Sequence, residues 1–161
     1  MIEFKNVSFS YESGSPVLDD ISFCIDKGES VGLIGANGAG KSTILKTLLG
    51  LLPSTGTVEI DGVPMIKKNF VKLRKKMGYV LQDSDNQLFM PTVYEDMIFA
   101  PLNYGMSKEE AERRVDEALA ATNISHLKHR QTHKMSGGEK RMACIATILA
   151  MEPEFLMMDE P

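Results

Sequence analysis

At 161 residues with 43% apolar side chains, the chain is long enough to bury a sizeable core and short enough for one domain to be the default. A formal charge of −4 gives no broad attraction to nucleic-acid phosphate, which disfavours a nucleic-acid reader. Met1 is followed by Ile-Glu-Phe-Lys rather than by a basic start and an apolar core, and no apolar run approaches membrane-spanning length, so the sequence is expected to be neither secreted nor membrane-embedded by itself.

Alternation with period two from Ile2 to Ser10 predicts a first strand, and Val17 to Ile25 predicts a second after a turn over Glu12-Ser-Gly-Ser-Pro16. Past Gly28, the apolar run Ser30-Val-Gly-Leu-Ile34 is predicted as a third strand, and it gives way to a helical pattern from Lys41 to about Gly50. Between them lies Gly35-Ala-Asn37-Gly38-Ala39-Gly40-Lys41-Ser42-Thr43. Its glycines let the backbone fold tightly round an anion with N–H groups pointing inward, and the helix that follows adds its positive end. Lys41 is then placed on the β- and γ-phosphates of a nucleotide, Ser42 offers its hydroxyl to Mg²⁺, and Thr43 bonds a phosphate nearer the ribose.

Further on, Thr57 to Ile60 reads as a strand closed by the tight turn Asp61-Gly62, and Phe70 to Lys76 as a helix. The basic residues Lys67, Lys68, Lys72, Arg74, Lys75 and Lys76 are most simply a solvated face of it. Gly78 to Leu81 is a short apolar strand that delivers Gln82 to a loop. From Thr92 the pattern turns helical: Ser107 to Glu110 is a capping box, and Ala111, Val115, Ala118 and Leu119 form a core-facing stripe. A further helix covers Ser136 to Met151, opened by Ser136 and Glu139 in the same S-x-x-E arrangement. After Glu152-Pro153, the apolar strand Phe155 to Met158 runs into Asp159 and Glu160. Asp159 can hold Mg²⁺ through water, and Glu160 can polarise the water that attacks the γ-phosphorus. Strands and helices alternating round a phosphate loop predict an α/β fold with a helical insert between Gln82 and the last strand. Cys24 and Cys144, far apart and each in an apolar element, read as small core residues rather than a disulfide.

With Met135-Ser136-Gly137-Gly138-Glu139-Lys140 added to the phosphate loop, Gln82 and the Asp159-Glu160 strand in this order, essentially the whole chain resembles the ATP-binding-cassette ATPases. The resemblance implies a P-loop fold with an N-terminal antiparallel part, a nucleotide-binding core over about 1–90 and 152–161, and a helical subdomain over about 91–151. It further implies a head-to-tail dimer, homomeric or heteromeric, in which Ser136, Gly137 and Gly138 meet the γ-phosphate of ATP bound to the opposite subunit. By the same carry-over, Tyr11 stacks on adenine with Val17 beside it, and Gln82 contacts Mg²⁺ or the attacking water.

Within that family, Leu81-Gln82-Asp83-Ser-Asp85-Asn86-Gln87-Leu88-Phe89, Val93-Tyr94-Glu95-Asp96 and Phe99-Ala100-Pro101-Leu102-Asn103 resemble the ATPase subunits of energy-coupling-factor importers, which power uptake of vitamins or of cobalt and nickel ions. That places the chain, as a peripheral subunit, on the cytoplasmic face of the membrane. The segment after Gln82 would dock a short helix of a transmembrane partner, with Leu88, Phe89, Met90 and Met97 either supplying an apolar groove for it or lying inside the helical insert.

Departures from the family pattern are Glu139 for the commoner Gln and Met142 where Arg is frequent. The sequence stops at Pro161, before the later His that the family sets against the γ-phosphate, and His126, His129 and His133 all precede Ser136. A gap in the middle of the core sheet, and a 161-residue chain inactive by itself, are the corresponding expectations. The alternatives are the ATPase of another transporter, a non-hydrolysing nucleotide-binding fragment, or a non-transport member acting in DNA repair or translation. Ser136 follows Gln82 by 54 positions, so the insert is too compact for the long coiled coil of that last class.

Overall fold

The computed structural model describes residues 1–11 and 14–159. They form two compact units, Met1–Arg74 and Lys75–Pro161.

In the first unit, β1 (Ile2–Phe9), β2 (Leu18–Ile25), β3 (Thr55–Ile60) and β4 (Val63–Pro64) make an antiparallel sheet in the order β2-β1-β3-β4. The alternation of β1 sorts its side chains as predicted: Ile2, Phe4, Val7 and Phe9 are buried with Leu18, Val58 and Ile60, and Lys5 faces outward to pair with Glu59 at 2.8 Å. Asn6, at φ 51°, is an extra residue in β1 and shifts the register against both neighbours. Opposite it Gly56 is required, since a Cβ there would lie 2.2 Å from the Asn6 carbonyl oxygen at φ +74°. Asp61 and Gly62, both at positive φ, close the β3–β4 hairpin as the sequence predicts.

Helix α1 (Lys41–Leu48) follows Gly40 and ends earlier than the periodicity suggests. Its C-terminal end is held by Arg74, whose Nε donates to the Leu49 carbonyl at 3.0 Å and Nη2 to that of Gly50 at 3.3 Å, with the guanidinium 4.4 Å from the Phe70 ring centre. Arg74 therefore leaves the solvated basic face to supply donors to the two carbonyls that follow α1; Lys67, Lys68 and Lys72 remain exposed. The helix that carries Arg74, α2, covers only Phe70–Arg74.

The strand expected over Ser30–Ile34 is absent among the described residues. Val31, Leu33 and Ile34 are 60, 45 and 95% exposed. An apolar, β-branched run carries the propensity for a strand, but a strand exists only where a neighbour completes its ladder, and no described strand pairs here. Cys24 is also exposed, on the outward face of β2, and only Cys144 is the buried thiol that both were expected to be.

The second unit holds β5 (Met77–Val80) and β6 (Phe155–Met158), paired in parallel from Met77↔Phe155 to Val80↔Met158. Between them in sequence come α3 (Val93–Asn103), α4 (Lys108–Ala121) and α5 (Gly137–Leu149). Their core gathers Val93, Met97 and Ile98, the predicted stripe Ala111, Val115, Ala118 and Leu119, and Ala143, Ala146 and Ala150. Met97, at 0% exposure, thus belongs to the interior and not to a groove. Ser136 and Glu139 form a full capping box, and so do Thr92 and Glu95, which the sequence reading passes over. At Ser107 only half of the box forms: its hydroxyl accepts the Glu110 N–H, but Arg113 and Arg114 claim the Glu110 carboxylate and hold its pKa down to about 2. No helix among the described residues is long and apolar enough to cross a membrane.

Candidate functional site

In Met1–Arg74 the loop 35–40 enters α1 through Gly40 at φ +93°, where a Cβ would come within 3.1 Å of the Val17 carbonyl oxygen. Only glycine accepts both that dihedral and that approach. The Ala39 N–H donates to the Ala36 carbonyl, tightening the turn, and Lys41 folds back over it, its Nζ donating to the carbonyls of Gly35 at 2.9 Å and Ala36 at 3.0 Å. An ammonium is therefore held at the mouth of a loop whose residues precede a helix N-terminus, the combination that suits an anion. Asn37 and Gly38 lie in the turn, and Ser42 and Thr43 in the first turn of α1.

The structure brings two further predicted residues to this loop. The Tyr11 hydroxyl lies 3.2 Å from Thr43 Oγ1, and its ring meets Phe9 edge-on at 4.8 Å while remaining 57% exposed. Val17, tied to β1 by its N–H to the Phe9 carbonyl, sets its Cγ1 3.2 Å from the position a Cβ on Gly40 would take. Tyr11, Val17, Gly40 and Thr43, distant in sequence, thus share one place.

In the second unit Gln82 and Asp159 stand at the C-terminal ends of β5 and β6, and Ser136, Gly137 and Gly138 at the start of α5, the edge at which parallel α/β sheets bind ligands. Gln82 is exposed in the bend after β5, and Asp159 is 7% exposed at the end of β6. The Tyr79 hydroxyl donates to Asp159 Oδ2 at 3.1 Å; burial first, then the Asp159 charge, push its own pKa up to about 12, so it stays a donor. The backbone that leads to Gln82 is fixed by Gln87, whose Oε1 accepts the Leu81 N–H at 2.9 Å and whose Nε2 donates to the Tyr79 carbonyl at 3.4 Å. Tyr79 and Gln87 are the residues that sequence reasoning misses here. Gln87 lies in the stretch Leu81 to Phe89 that carries the importer resemblance, whereas Tyr79 acts on a residue 80 positions away and has no local signal.

Ser136 caps α5. Glu139 Oε2 accepts its N–H at 2.7 Å and its hydroxyl at 2.9 Å, and these two bonds hold the Glu139 carboxyl below its usual pKa. Gly137 and Gly138 form the exposed first turn of α5, where an added Cβ would meet nothing within 4 Å. Glu160 lies outside the described residues.

An open groove of about 340 Å³ runs along α3, lined by Met90, Pro91, Ile98, Phe99 and Leu102 with Glu95 and Asn103 at its edge. Of the four residues considered for an apolar groove, Met90 lines it, Phe89 is 65% exposed and stacks edge-on against Phe99 at 5.2 Å, Leu88 leans on the helical core, and Met97 lies within that core.

Residues 18–161 match the family described as ABC transporter. The chain is 47% identical over 164 residues to the energy-coupling factor transporter ATP-binding protein EcfA of Methanothermobacter thermautotrophicus, covering 100% of this chain and 53% of that protein. It superposes with a TM-score of 0.91 and 39% identity on CbiO1 from Clostridium perfringens, part of the ABC transporter complex CbiONQ, over 99% of this chain and 65% of that one. A dimeric ATP-binding cassette in a post-hydrolysis state, bound to ADP and Pi, matches with a TM-score of 0.87 and 30% identity over 100% of this chain and 74% of that one. The chain therefore spans between half and two thirds of the length of the first two proteins.

Proposed function

The chain belongs to the ABC transporter family, and from that membership we propose that it is the ATP-binding and ATP-hydrolysing part of a subunit that powers an energy-coupling-factor-type importer. The observation that carries this is the loop 35–43, where Gly40 caps α1, Lys41 covers the turn and Tyr11 reaches Thr43. Lys41 and the first-turn N–H groups of α1 hold the phosphates, Tyr11 stacks on the base beside Val17, and Glu160 polarises the attacking water. The donors assigned to the metal are the Ser42 hydroxyl, the Gln82 amide and the Asp159 carboxylate, an all-oxygen set that fits Mg²⁺. Bound there, Mg²⁺ would neutralise charge on the β- and γ-phosphates.

Two copies, or this subunit and a similar one, pack head to tail so that Ser136, Gly137 and Gly138 of each face the γ-phosphate on the other. The organisation proposed is a nucleotide core over about 1–90 and 152–161 with a helical subdomain over about 91–151. The groove on α3 takes a short apolar helix of a transmembrane partner, which holds the subunit at the cytoplasmic face of the membrane; the solute, a vitamin or a cobalt or nickel ion, is chosen elsewhere in the transporter. Titration of Mg-ATP into the full-length protein tests the reading: Lys41→Ala should weaken binding by about 10- to 100-fold, the worth of one charge-assisted phosphate contact. Equal affinity of parent and variant would overturn it.

A further inference from the structure

Beyond Val80 and Met158 the ladder between β5 and β6 ends with the Asp159 N–H donating to the Val80 carbonyl. At that point a side chain takes over. Arg141 Nη1 donates to the carbonyls of Leu81 and, at 3.5 Å, Gln82, while Nη2 donates to the carbonyl of Asp159 at 3.2 Å. One planar guanidinium thus spans the residues that follow both strands, and a fork of donors fixed in a plane sets the distance between the carbonyls it joins.

The position of Arg141 is itself fixed. Seven residues along α5, Ile148 presses on Gly78 so closely that a Cβ there would lie 2.2 Å from its Cγ2. Seven helical residues rise about 10 Å, the same length as the roughly 10 Å from Gly78 to Leu81 along an extended strand. Helix and strand therefore meet at two points with matched spacing, one apolar and one polar. Lys140 pairs with Asp85, and Cys144 Sγ lies 3.7 Å from the Ser84 carbonyl, so the same helix also holds the turn after Gln82.

We propose that Arg141 is a positioning residue for ATP hydrolysis: it holds the Gln82 loop and the Asp159 end of β6 at one spacing and ties both to the helix that Ser136 opens. This rests on the reading of Gln82 and Asp159 as groups near Mg²⁺ and the γ-phosphate. Lysine keeps the charge but has no planar fork, and methionine keeps the stem alone. Displacing either strand end by even 1 Å misplaces a group that must meet the reacting phosphate.

The test uses the full-length protein, its partners included, with Arg141→Met and Arg141→Lys. For Arg141→Met the proposal expects turnover per bound ATP to fall at least about tenfold, the Mg²⁺ concentration for half-maximal activity to rise several-fold, and ATP stoichiometry to stay that of the parent. Arg141→Lys should recover part of both. A merely structural role would lower stoichiometry and activity together without moving the Mg²⁺ midpoint. Unchanged turnover and Mg²⁺ midpoint in Arg141→Met, or activity lost only in proportion to bound ATP in both variants, would overturn the proposal. If the parent itself bound no ATP, the reading of the function would fail instead.

Discussion

Asp96 is a carboxylate at 2% exposure whose Oδ1 accepts the N–H groups of Phe89 and Met90, each at 2.9 Å. It shapes the chain beside the α3 groove, and Thr132 holds the same stretch from the other side by donating to the Met90 carbonyl at 2.9 Å. Burial raises the Asp96 pKa above 3.8, against the two N–H bonds that lower it. The folded chain then binds the proton more tightly than the unfolded one, so this group's contribution to stability falls as pH rises from 3.8 through the raised folded value. Asp96→Asn should remove that part of the slope while keeping an acceptor, whereas Asp96→Ala should cost about 1–3 kcal/mol by leaving N–H groups without one. Urea melts between pH 4 and pH 6 check this; identical slopes in parent and Asp96→Asn would rule it out. In sequence Asp96 is one acidic residue among several, because nothing local distinguishes a carboxylate that turns inward.

Helix α5 is the element on which the second unit depends. Its inward face supplies Ala143 and Ala146 to the helical core, its C-cap adds Ala150, and its other contacts reach β5 through Gly78. Small residues let helix and strand approach closely, so an added methyl has no room. Gly78→Ala should destabilise the protein by about 1–3 kcal/mol, and Ile148→Ala in the same chain should recover part of the loss, a coupling that a double-mutant cycle in denaturant reads directly. Strict additivity of the two substitutions would contradict the contact. Elements with a strong internal pattern, α4 and β1 above all, are legible because one buried face is enough to specify them. The run Ser30–Ile34 is not, since its apolar residues carry a strand's propensity but no strand among the described residues pairs with them.

For the whole assembly, the proposed dimer places ATP between the phosphate loop of one subunit and Ser136 of the other, so association depends on the γ-phosphate. Full-length protein carrying Glu160→Gln should therefore accumulate as a dimer in saturating Mg-ATP, and adding Ser136→Arg should abolish it by setting a bulky side chain in the contact. Analytical sedimentation distinguishes the species; a monomer throughout, with the transmembrane partners present, would remove the basis for contacts in trans.

What the sequence determined by itself is the chemistry carried by adjacent residues. The glycines and Lys41 of the loop 35–43, read as a phosphate cradle, the Ser136–Glu139 cap, the stripe of α4 and the Asp-Gly hairpin after β3 each need only short spacings to be recognised, because their physics is local. Tertiary structure alone decided which distant groups meet: Tyr11 at Thr43, Arg74 on the end of α1, Tyr79 on Asp159, and Arg141 across β5 and β6. It also decided which residues with similar local patterns are inside, taking in Cys144 and Met97 and leaving out Cys24 and Phe89. Burial and long-range hydrogen bonds depend on what packs against a residue, and its sequence neighbours do not carry that information.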